Sequence, residues 1–160
     1  TERFGEVRLG ENRFETLIAN DVLEHIPDLV CAMTNALKLL RPGGEFEISV
    51  PYDLSLGAWQ DPTHVRAFNE NSWLYYTDWF WYLGWTEQRF DLVHSNMSLT
   101  PLGAEMARKK VDVPSIMRTP RAVDSMQVRL RKRYLSASER AEVAERRSRV
   151  KKQQAVKVLP

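Results

Sequence analysis

Hydrophobic positions change period several times along the first hundred residues, and each change predicts an element. Leu17, Ile18 and Ala19 run together within residues 14–19, which reads as a short strand covered on both faces. Ile26, Val30, Met33, Leu37 and Leu40 then recur at three- and four-residue steps, the period of an amphipathic helix, with Pro27 and Asp28 in its first turn. Arg41-Pro42-Gly43-Gly44 stops that helix, because proline cannot extend it and glycine permits a tight turn. Residues 45–51 alternate Phe46, Ile48 and Val50 with polar neighbours and predict a second strand, parallel to the first if the helix crosses over between them. Residues 52–68 carry proline, glycine and aspartate punctuation and read as a long loop, a length that often serves function. A helix over 69–83 closed by Gly84, a strand over 89–99 built on Phe90, Leu92 and Val93, and a weaker strand over 105–113 follow. Residues 1–12 are polar and read as a loop, and 121–157 have a basic, helical composition.

The implied class is α/β: the second half of an open, doubly wound sheet over residues 1–118, then a basic helical extension over 119–160. Charge supports that division. Residues 1–107 hold 7 basic and 16 acidic side chains, whereas 108–160 hold 16 and 5. The basic groups form two clusters, Arg129 to Arg133 and Arg146 to Lys152. Interleaved glutamates at helical steps favour a solvated helix there. Nucleic acid or an anionic surface is the alternative partner, disfavoured because Tyr134 is the one aromatic among these charges. The single cysteine, Cys31, excludes an intrachain disulfide and reads as a small buried hydrophobe. No apolar run approaches the roughly 18 residues of a membrane helix, so a cytoplasmic location is expected.

Candidate chemistry gathers at the strand ends. Asn20-Asp21-Val22-Leu23-Glu24-His25 follows the first strand, where open parallel sheets bind ligands outside their carboxyl ends. A helix-entry turn capped by Asp21 explains the same residues. His25 is a candidate general base. Tyr52 and Asp53 follow the second strand, and Asp61-Pro62-Thr63-His64-Val65-Arg66 brings a carboxylate, an imidazole and a guanidinium into six residues. That constellation suits a polar acceptor, or else a turn in which His64 and Arg66 satisfy loop carbonyls. His25, His64 and Asp61 match no recognised metal-ligand spacing, and no metal is expected. Of the aromatics between 73 and 85, Trp73, Tyr76 and Phe80 share one helical side and Tyr75, Trp79 and Tyr82 another. One stripe should pack on the sheet; the other suits an acceptor wall, a lid or an oligomer contact.

The stretch from Phe14 to Asn20, Leu23-Glu24-His25-Ile26-Pro27-Asp28 and Leu40-Arg41-Pro42-Gly43-Gly44-Glu45, at their mutual spacing, resemble the middle of a class I S-adenosylmethionine-dependent methyltransferase: its fourth strand, following helix and fifth strand. A weaker likeness runs on to about residue 115. The resemblance implies a Rossmann-like sheet, S-adenosylmethionine as cofactor, and methyl transfer to an oxygen or nitrogen of a small-molecule acceptor. It places Asn20, Asp21, Val22 and Leu23 beside the cofactor. His25, His64 and Asp61 are then the catalytic candidates, and Tyr52, Asp53, Arg66, Trp73 and Tyr76 the acceptor-binding ones. The family's glycine-rich loop has no counterpart among Gly5, Gly10, Gly43, Gly44, Gly57, Gly84 and Gly103. The first half of the domain is therefore expected to lie outside this chain, and enzymatic activity to require it. The alternative is a methyltransferase-like, non-catalytic binding module acting through its aromatics and basic extension, with a homo-oligomer among its possible partners.

Overall fold

The computed structural model describes residues 9–156. Residues 1–8 of the expected polar start, the last residues from 157, and the side chains of Lys151 and Lys152 lie outside the described residues. Four strands form one sheet in the order β1 (Phe14–Asn20), β2 (Leu40–Pro51), β4 (Val123–Tyr134) and β3 (Gln88–Leu99). β1 and β2 run parallel, with Leu17 opposite Phe46 and Asn20 opposite Ser49. Helix α1 (Leu29–Leu39) joins them. β4 is antiparallel to both its neighbours, setting Ile48 opposite Val128 and Met97 opposite Met126. The expected α/β half-sheet is present.

Local sequence explains the connection from β1 to β2. Asp28 caps α1, its carboxylate accepting the Cys31 amide at 2.9 Å. Leu29, Met33, Ala36 and Leu37 form the buried stripe at helical spacing. Val30 and Cys31 fall on the other side, so Cys31 is exposed rather than buried as expected. Leu40 already belongs to β2, and Arg41 to Gly44 make a bulge inside the strand rather than a separate turn: the register passes from Phe14 opposite Leu40 to Thr16 opposite Glu45. Gly43 takes φ +79° there, a conformation suited to glycine.

One face of the sheet is packed. Phe46, Ile48 and Val50 of β2 and Met126, Val128 and Leu130 of β4 lie under α1 and a layer that includes Phe68, Trp73, Tyr76, Phe80 and Trp85. Trp85 ties that layer to α1 by donating to Thr34 Oγ1 at 3.1 Å. The other face carries Ile18, Asn20, Glu45, Glu47, Ser49, Gln127, Arg129 and Arg131. Ile18 is 65% exposed, so β1 is covered on one face and not on both. Glu45 meets Arg131 at 2.7 Å and Glu47 meets Arg129 at 3.3 Å across the strands.

Two further expectations are corrected. Residues 69–83 are not one helix but two short 3-10 segments, Glu70–Trp73 and Phe80–Leu83, joined by turns. The two aromatic sides nevertheless separate as expected: Trp73, Tyr76 and Phe80 are buried, Tyr75, Trp79 and Tyr82 exposed. Residues 105–113 are not a strand; the segment folds into α3 (Pro101–Arg108), capped by Thr100, and a turn before α4 (Val113–Arg118). The long loop before them carries only the short α2 (Gly57–Gln60).

The largest correction concerns residues 119–160. Residues 123–134 are not helical extension but β4, an interior strand that joins β2 to β3. Alternate residues Met126, Val128, Leu130 and Lys132 point into the core. Lys132 is accommodated by donating to Leu40 O at 2.7 Å and Asn12 Oδ1 at 2.8 Å, and burial pulls its pKa down. Only from α5 (Ala137–Val156) does the basic helix begin. A capping box starts it: Ser136 Oγ accepts the Glu139 amide, and Glu139 accepts the Ser136 amide. Arg133 bridges Asp91 and Glu139 at 2.9 and 2.6 Å.

Candidate functional site

β1 ends where its chain must leave the sheet. Asp21 donates its amide to Ser49 O at 2.9 Å and then takes φ 50°, a left-handed conformation that aspartate tolerates better than most residues. This reversal holds Asn20 and Asp21 on the rim of an open cavity of ≈470 Å³ on the polar face, also lined by Ser49, His94, Gln127 and Arg129. Asp21 does not cap a helix; Asp28 does that for α1. Beyond the turn Val22 is exposed, whereas the Leu23 side chain is buried in the core and can meet a ligand only through its backbone.

Glu24 and His25 sit on the 3-10 segment Leu23–His25, and the loop from Asp61 is laced onto it. Val65 donates its amide to Glu24 O at 2.9 Å. Arg66 donates to Ile26 O and Pro27 O at 2.6 and 2.7 Å, so its guanidinium clamps backbone. Thr63 Oγ1 lies 2.6 Å from Asp61 Oδ1 and 2.9 Å from His25 Nδ1. Its one proton goes to the carboxylate, so His25 Nδ1 donates to Thr63. The hydrogen bonds from Thr63, side chain first and backbone second, hold the Asp61 carboxyl below the usual carboxylate range. His64 Nδ1 lies 2.9 Å from Ala58 O, which can only accept, so that nitrogen also carries a proton. In the neutral tautomer that these bonds select, each Nε2 carries the lone pair. The imidazoles meet edge to face with centroids 4.6 Å apart. Beside them Glu24 is 1% exposed, and neither of its carboxylate oxygens has a hydrogen-bond partner among the described residues.

The fold thus brings His25, His64 and Asp61 together across nearly forty residues. It does not bring all the expected acceptor residues to a surface. Trp73 is 1% exposed and stacks on Phe68 at 5.5 Å; Tyr76 is buried, and burial pushes its phenol up to about 12. Both are core residues, which corrects their expected role as an acceptor wall. Tyr52 is buried too, donating to Glu70 Oε2 at 2.7 Å; burial first, then Glu70, raises its pKa. Asp53 accepts from Asn69 Nδ2 at 3.0 Å through one oxygen, while its other oxygen is buried without a partner. Sequence reasoning passed over Thr63, whose spacing from Asp61 is that of a local side-chain turn. Ser49, His94 and Gln127 become visible only once the strand register is known.

No family model matches the chain, and no curated protein matches it. Among solved structures it is similar to the [4+2]-cyclase SpnF, at 14% identity and TM-score 0.51, over 80% of this chain and 53% of that one. It is also similar to S-adenosylmethionine-dependent methyltransferases from Archaeoglobus fulgidus (13% identity, TM-score 0.49, 77% of this chain and 61% of that) and Mesorhizobium loti (14%, 0.49, 79% and 65%). With the cyclase the chain shares an α/β fold. The chain spans about half of the cyclase and under two thirds of the other two. At such identities likeness of fold does not fix chemistry.

Proposed function

We propose that this chain forms the second half of an S-adenosylmethionine-dependent methyltransferase domain that methylates an oxygen or nitrogen of a small-molecule acceptor. The observation that carries the reading is the Asn20–Asp21 reversal at the carboxyl end of parallel β1, opening onto the polar cavity. Asn20, Asp21 and the exposed Val22 edge the cofactor, with Leu23 contributing backbone. Methyl transfer is an in-line displacement: the acceptor lone pair bonds the methyl carbon as the carbon–sulfur bond breaks, and the thioether leaves. Alignment supplies much of the acceleration, and a base need only collect the acceptor proton. His25 and His64, with free Nε2 lone pairs and Asp61 beside them, are suited to that task. Asp53 faces the acceptor, while Tyr52 and Arg66 fix the surrounding backbone and loop.

Calorimetric titration with S-adenosylhomocysteine tests the reading. Saturable one-to-one binding is expected, weakened about tenfold by Asp21→Ala, the effect of roughly one hydrogen bond. No binding by the folded chain, either alone or joined to the first half of the domain, overturns it. A second reading, a non-catalytic binding module, is favoured by one observation: Tyr75, Trp79 and Tyr82 form an exposed cluster with ring centroids 5.3 and 5.7 Å apart. That cluster suits a protein partner or a second copy, and the module reading predicts that Tyr75→Ala leaves cofactor binding untouched while abolishing association.

A further inference from the structure

We propose that Glu24, His25 and His64 bind one divalent transition-metal cation of the zinc class. One ligand atom from each residue lies within 4.8 Å of the others. The three come from two segments, the 3-10 turn after β1 and the loop following Asp61, so their spacing resembles no metal motif.

Two features favour a cation here, and the donor set decides its class. Glu24 is almost fully buried, yet neither carboxylate oxygen is hydrogen-bonded to an imidazole or to any other group among the described residues. An ionised carboxylate in that state is costly, and a bound cation answers it. Both imidazoles are also pre-set as ligands. In the neutral ring each directs its Nδ1 proton to an outer acceptor, Thr63 Oγ1 or Ala58 O, so that Nε2 carries the lone pair. Such outer hydrogen bonds fix the tautomer and orientation of metal-bound histidines. Thr63 is itself anchored on the ionised Asp61, so the support extends one residue further. Two imidazoles and one carboxylate suit zinc and its neighbours, whereas calcium and magnesium prefer oxygen throughout.

Ligand atoms around tetrahedral zinc lie about 3.4 Å apart for bonds of about 2.1 Å, so the three groups must draw in by roughly an ångström on binding. Three protein ligands leave a fourth position for water or another oxygen. This site competes with the base role given to the same imidazoles above: while a cation holds the Nε2 lone pairs of His25 and His64, neither can collect a proton, and the site is tested without reference to methyl transfer.

The 160-residue chain, stripped with chelator and exchanged, is titrated with zinc chloride against a chromophoric competitor, and with cobalt(II) for its visible ligand-field bands. One equivalent should bind with micromolar affinity or better. Glu24→Gln, which keeps the side-chain shape, and His64→Gln should each weaken zinc more than tenfold and remove the cobalt bands. Thr63→Val should weaken it about 10-fold while retaining the bands. His94→Ala, on the polar sheet face away from the three ligands, should leave zinc affinity and the cobalt bands unchanged. No uptake by a chain with intact far-ultraviolet dichroism overturns the proposal. So do Glu24→Gln and His64→Gln affinities within twofold of the unaltered chain, or a loss in His94→Ala as large as theirs.

Discussion

On one face of the sheet, Phe46, Ile48, Val50, Met126, Val128 and Leu130 are sealed beneath α1 and the aromatic layer; on the other, the alternate residues of the same strands are Glu47, Ser49, Gln127 and Arg129, left at the surface around a cavity. A single pleat produces both, because successive side chains point to opposite faces. The packed face supplies the burial that stabilises the chain. The polar face contributes little to stability, since its ion pairs are largely exposed, and is free to carry a ligand. Stability and binding should therefore respond to different substitutions.

The largest expected effect falls on the packed face. Trp73→Ala should lower unfolding free energy by about 3–5 kcal/mol in urea titration. A loss below about 1 kcal/mol would return Trp73 to the acceptor wall and blur the distinction between the faces. Next comes the junction between β4 and α5. Arg133, followed by the Ser136 amide, lowers the Glu139 carboxyl to about 2, below its ordinary value near 4.5. A depressed carboxylate stabilises the fold above the unfolded value and loses that contribution as pH falls through the folded one. Urea midpoints should thus fall between pH 4.5 and 2, and Glu139→Gln should flatten that slope at a loss of about 1 kcal/mol near neutrality. The smallest effect belongs to the polar face. A double-mutant cycle between Glu47→Gln and Arg129→Met should return a coupling below about 1 kcal/mol that fades with salt. A coupling above that range would mean the face is not open to solvent.

Much of this contrast is legible in the sequence, but unevenly. β1, α1 and β2 follow from hydrophobic period because their polar and apolar positions are cleanly sorted. β4 carries the same alternation in Met126, Val128 and Leu130, yet its outward positions are Arg129 and Arg131 and its next inward position is Lys132. Basic residues dominate the composition and suggest a solvated helix; the acidic partners that make them a strand, Glu45, Glu47 and Asp91, lie far away in the chain. The Ser136–Glu139 capping box, a Ser-x-x-Glu spacing that would have placed the helix start, was passed over. At the site, Asn20 to His25 were visible as the polar end of an apolar strand. The meeting of His25 with His64 was not, because it depends on Arg66 and Val65 bonding back to the first turn. The two aromatic sides could be separated by spacing, but which one turned inward was decided by α1 and the sheet.

Ligand binding on the polar face at the carboxyl end of β1 underlies the contrast between the two faces. Amide chemical-shift mapping of the chain with S-adenosylhomocysteine tests it most directly. Saturating shifts are expected at Asn20, Asp21, Ser49 and Gln127, and none on the outer side of α1 at Val30 and Cys31. Shifts centred on Tyr75, Trp79 and Tyr82, or a folded chain with no shifts at all, would contradict it.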